Sequence, residues 1–148
     1  MKKFKFTLKS LLDLKQAVER QHKSELGAAL AAQNRFVQEL EVMDQELLRQ
    51  RLELSRPADA VSPGELALRD IGFRALFQHM DEQKEKIRVA KLECERIRHK
   101  LTVVMSERKV LERLKEKQLA LYKEEVSRQE SIAIDEFLSN KLVVATAR

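Results

Sequence analysis

The sequence predicts an all-α chain: an antiparallel two-helix coiled-coil hairpin whose second helix is longer than its first. Three observations predict it. The 148 residues contain no Trp and few aromatics, three Gly and two Pro, while 36% are charged, and that composition belongs to long helices rather than to a compact globule. Both prolines, Pro57 and Pro63, fall in one short window. On either side of that window apolar residues recur every three or four positions, the period of one helix face.

The first element is a long helix over residues 1–56, beginning with a basic N-terminal arm. Leu8, Leu11, Val18, Leu26, Ala29, Phe36, Leu40, Met43, Leu47 and Leu54 form its stripe. The stripe thins in the middle, where Lys15, His22 and Gln33 take seam-like positions. Gly27, Ala28, Ala29, Ala31 and Ala32 make a small-residue stretch there that a partner helix can approach closely.

Residues 57–62 are the turn. Ser62 is placed to cap a new helix, Pro63 suits its first position because the missing N–H has no partner there, and Glu65 stands where a capping box puts its acid. The second helix spans residues 63–140. Phe73, Leu76, Met80, Gln83, Ile87, Ala90, Cys94, Ile97, Leu101, Val104, Arg108 and Leu111 alternate in steps of three and four, a heptad seam. Beyond Leu111 the apolar residues Leu114, Leu119, Leu121, Tyr122, Val126, Ile132, Ile134 and Phe137 leave that register, and such a slip changes the supercoil or releases a helix from its partner. Residues 141–148 are expected to be a frayed tail.

At about 1.5 Å per residue the first helix reaches roughly 75 Å and the second over about 100 Å, so the second should overhang by several turns. Residue 8 then lies opposite residues 110 to 115.

The net charge of +5 is uneven. Lys2, Lys3, Lys5, Lys9, Lys15, Arg20 and Lys23 face only Asp13 and Glu19 in the first 23 residues. Charge alone leaves nucleic acid, anionic lipid and an acidic protein surface as partners for this end. A dense basic stripe with interleaved aromatics is absent, so nucleic acid is not expected. No span approaches the roughly 20 apolar residues of a membrane helix, and the single Cys94 implies no disulfide and no oxidising compartment. The expectation is a soluble cytosolic protein without an integral membrane segment.

No catalytic or metal site is expected, and no cofactor. Gly27, Gly64 and Gly72 are isolated, so no phosphate-cradling loop is present. His22, His79 and His99 read as solvated or seam-edge side chains, and Cys94 as a small seam hydrophobe. The chain is not read as an enzyme. The run over residues 107–118 stands out because Arg108 and Lys115 occupy positions where a seam should be apolar. Two readings stay open for it: a device that fixes register, and a partner surface where the helices separate.

Residues 106–118 (SERKVLERLKEKQ), continued by Tyr122, Glu125, Arg128, Gln129, Glu130, Asp135 and Glu136, resemble the signature of the FliJ family of flagellar export proteins. Phe4, Lys5, Phe6, Thr7 and Leu8, with Leu11, Leu12, Asp13 and Leu14, are similar to that family's opening, and Phe73, Leu76 and Met80 to its mid-chain positions. The resemblance covers nearly the whole chain, with residues 15–60 carrying little of it. It implies a soluble coiled-coil component of the flagellar type III export apparatus, cytoplasmic and peripherally associated with the inner membrane at the flagellar base. Such a component binds and activates the ring of the export ATPase like a stalk, links it to the cytoplasmic domain of the export gate, and handles export chaperones. The ATPase-binding residues expected here are Arg108, Lys109, Arg113, Leu114, Lys117, Leu121 and Tyr122. Those expected at the gate are Phe73, Leu76, His79 and Gln83. The free protein is expected to be monomeric. The alternative reading is a generic structural or chaperone-like coiled coil that self-associates through the overhang.

Overall fold

The computed structural model describes residues 2–55 and 62–147. Two helices account for nearly all of them, α1 (Lys9–Leu54, 46 residues) and α2 (Pro63–Thr146, 84 residues), and they form an antiparallel hairpin with the longer helix second. Most of the turn window, residues 56–61 with Pro57, lies outside the described residues. Its last position is described: the Ser62 hydroxyl accepts from the Glu65 amide at 3.2 Å, Pro63 opens the helix and Glu65 supplies the acid of the first turn. α1 closes at Leu54, where the Ser55 hydroxyl donates to the Leu52 carbonyl at 2.6 Å and satisfies one acceptor of the last turn.

Both outer bounds differ from those read in the sequence. The expected helix over residues 1–56 starts only at Lys9, preceded by a non-helical arm and a turn at Thr7 and Leu8. The cause is the alternation of Phe4, Lys5 and Phe6: a period of two puts both rings on one side of an extended segment, whereas a helix would separate them. Phe6 is buried and Phe4 half-buried while Lys5 is exposed. At the other end α2 runs past Asn140 to Thr146, and the Thr146 hydroxyl donates to the Leu142 and Val143 carbonyls.

The chain divides into two compact units, Arg20–Thr102 and Met1–Glu19 with Val103–Arg148. In the first, the α2 seam buries Met80, Gln83, Ile87, Cys94 and Ile97. Phe73, Leu76, Ala90 and Leu101 of the same series are half-buried. Opposite them α1 presents Leu26, Ala29, Gln33, Phe36, Leu40, Met43, Leu47 and Gln50, again in steps of three and four, all buried or half-buried. The small-residue stretch does not draw the helices together at Gly27, because a Cβ added there meets nothing within 4 Å. Ala29 and Ala32 instead help line an open groove of about 520 Å³ with Phe36, Val89 and Ala90.

In the second unit Phe6, Leu12 and Leu111 form a buried cluster, with Phe4 and Leu114 packed against it. The stripe expected through Leu8 and Leu11 is corrected here, for both are exposed and Leu12 is buried. Leu12 keeps the same heptad phase along α1 as Glu19, Leu26, Leu40 and Leu47.

Candidate functional site

Polar side chains are built into both seams. Gln83, only 3% exposed, donates from Nε2 to the Phe36 carbonyl and to the Glu39 carboxylate, each at 2.9 Å. Its place in the series between Met80 and Ile87 would suit an aliphatic side chain, and these two bonds satisfy the amide nitrogen there. Glu19 and Arg108 take seam positions in the other unit and pair there, with side chains 7% and 18% exposed. Arg108 also donates to Glu112 at 2.8 Å. The hydrogen bond from Glu112 leads the influences that hold the guanidinium above its ordinary pKa, with Glu19 adding to it against the opposing effect of burial. Lys15 pairs with Glu107 beside them.

The residues expected to bind the ATPase are thereby divided. Arg108, Leu114 and Tyr122 are half-buried and engaged within the unit, whereas Lys109, Arg113, Lys117 and Leu121 are exposed and follow one another at steps of four. Steps of four keep side chains on adjoining strips of a helix. Tyr122, which falls in the expected overhang, has two intramolecular partners: its hydroxyl donates to the Lys2 carbonyl at 2.7 Å, and its ring lies 5.5 Å from that of Phe4, tilted by 48°. Of the residues expected at the gate, Phe73, Leu76 and Gln83 belong to the seam and only His79 is exposed, with Nδ1 at 3.7 Å from a Glu82 carboxylate oxygen.

Past Tyr122 the cover runs out. Glu125 and Val126 are half-buried, and every residue from 127 to 147 is exposed. The exposed set includes Ile132, Ile134, Phe137, Leu138, Leu142, Val143 and Val144. At 100° per residue these do not make one stripe: Ile134, Leu138 and Leu142 share a side, Phe137 and Val144 another, Ile132 and Val143 a third.

Among the described residues no group of three His, Cys, Asp or Glu could hold a metal ion, and no helix is long and apolar enough to cross a membrane. Cys94 is buried in the seam. His22 is half-buried with Nδ1 at 3.3 Å from Glu25, and His99 is exposed.

These features define a two-helix coiled-coil protein with polar locks in its seam and an uncovered helical end. The family model described as flagellar FliJ protein matches residues 4–144 of the chain. The chain therefore belongs to the FliJ family and is a flagellar export component. No curated protein and no solved structure matches it.

Proposed function

We propose that this protein binds the ring of the export ATPase, activates it as a stalk-like coiled coil, and couples it to the cytoplasmic domain of the export gate. The observation that carries the reading is the uncovered end of α2, whose exposed apolar side chains point in at least three directions. A helix that is apolar on several sides is stable in contact with a partner that covers more than one of them. A flat surface covers only one, whereas a socket or ring opening covers all.

Lys109, Arg113 and Lys117, exposed on α2 just before that end, supply positive charge that steers it toward an acidic opening. The gate contact is read on the exposed side of α2 at His79, where Phe77 is also exposed. In this reading the protein works in the cytoplasm, associates peripherally with the inner membrane at the flagellar base, is monomeric when free, also escorts export chaperones, and performs no catalysis of its own.

The test is co-purification with the export ATPase and measurement of ATP turnover with and without this chain. Capture of the ATPase with raised turnover is the expected result. A stable dimer that neither binds nor stimulates the ATPase would favour a self-associating coiled-coil spacer instead.

A further inference from the structure

The positive charge of the chain is concentrated in one unit. Residues 1–19 carry five lysines against Asp13 and Glu19, and residues 103–148 carry nine basic against eight acidic side chains, so this unit holds four of the five net charges. Within it the fold brings Lys5 and Lys9 together with Lys115 around one concavity of about 440 Å³, walled otherwise by Phe4 and Phe6. The basic groups nearby are neutralised internally, Lys15 by Glu107 and Arg108 by Glu19 and Glu112. Among the described residues Lys5, Lys9 and Lys115 have no carboxylate partner. Three ammonium groups beside two aromatic rings complement an anion that carries an apolar body.

We propose that this pocket receives an acidic peptide segment of a protein partner, with an aliphatic or aromatic side chain seated against Phe4 and Phe6 and flanking Asp or Glu carboxylates paired with Lys5, Lys9 and Lys115. The inference rests on the reading of this end as a contact surface and specifies the chemistry of what it meets. A protruding side chain fits a concavity of this size, whereas a lipid surface is flat and Phe6 is too deeply buried to insert into it. Single-stranded nucleic acid needs free ring faces to stack on, and the Phe4 ring is already packed against Tyr122.

The test uses the full chain and a fluorescent pentapeptide with a central leucine between two pairs of acidic residues, beside its serine-centred counterpart and phosphatidylglycerol vesicles. The leucine peptide should bind in a salt-dependent way, and the serine peptide about tenfold more weakly. The triple variant Lys5→Glu, Lys9→Glu and Lys115→Glu should lose more than tenfold in affinity. A control with the same change in net charge, Lys84→Glu, Lys91→Glu and Lys100→Glu on exposed positions of the other unit, should stay within about twofold.

Equal losses in the two triple variants would overturn the proposal by reducing it to net charge. So would equal binding of the two peptides. Binding of the vesicles but not of the peptide, lost with the pocket lysines, would give those lysines to a membrane instead. ATPase stimulation measured on the same proteins keeps the two claims apart. Wild-type stimulation without peptide binding removes only the pocket, and peptide binding without stimulation removes only the ATPase reading.

Discussion

Glu19 and Arg108 are the residues that most change how this chain should be understood. Lys15 and Arg108 are visible in the sequence as charges at seam positions, but Glu19 is not, because the α1 stripe drawn through Leu8 and Leu11 leaves it off the seam. Starting the count at Leu12 puts Glu19 seven residues on, in register with Leu26, and the antiparallel pairing then brings it to Arg108. The pair favours the reading of the charged run as a device that fixes register, at least at Arg108, since a one-turn slip would bury each charge against an apolar side chain. Arg108→Leu should lower the melting temperature clearly, because it leaves the buried carboxylate of Glu19 without this partner, whereas Glu19→Leu with Arg108→Leu should recover most of the loss. A thermal melt of the three proteins checks this. A single variant as stable as the parent would mean that the pair contributes nothing to the fold.

At the scale of the elements, the α2 seam is readable in full: all twelve of its predicted positions from Phe73 to Leu111 are buried or half-buried. It is readable because apolar residues fill most of those positions, so period and burial coincide. The α1 seam is less so: the stripe marks Lys15, His22 and Gln33 as seam-like, but Glu19 and Gln50 occupy it as well and no hydropathy pattern marks those two. The non-helical arm is hard to read for a related reason, as three alternating residues are too few to outweigh the helical period that follows. Ile97 is 4% exposed at the middle of the seam, and Ile97→Asp should cost about 3–5 kcal/mol, the scale of an uncompensated buried charge. Urea unfolding measures it directly, and an unchanged midpoint would remove Ile97 from the core.

The exposed faces of the helices carry Glu and Arg three residues apart, and these pairs contribute to the acid response. Hydrogen bonds from Arg49 and Gln50 hold Glu46 down to about 2, against an ordinary value of 4.5. Glu85, Glu93 and Glu125 are lowered in the same sense, each first by the hydrogen bond from its own arginine, Arg88, Arg96 and Arg128. A lowered folded-state pKa means that the unfolded chain binds more protons in this range. The contribution is therefore complete above about pH 4.5 and is lost as the pH falls toward 2. Helical melts recorded from pH 6 to 2 should show stability level at first and then declining below about 4.5. Because the pairs are solvent-exposed, 0.5 M salt should flatten the decline. A decline already under way at pH 6 would contradict this account.

The whole molecule joins a paired seam to an uncovered helical end, and the function proposed for it lies in that division. The uncovered end was readable in outline from the unequal helix lengths, but its start was not. Tyr122 is tied to the arm through Phe4 and Lys2, a contact 120 residues apart in sequence that no local pattern signals. Removal of residues 127–148 takes away the exposed end and leaves Tyr122, the arm and every buried residue in place. The shortened protein should therefore melt cooperatively at close to the parent temperature and remain predominantly helical. The decisive measurement is ATP turnover by the purified export ATPase titrated with the full-length chain and with this shortened one. The account predicts stimulation by the first and loss of nearly all of it with the second, and a shortened chain that folds and stimulates as strongly as the parent would contradict it.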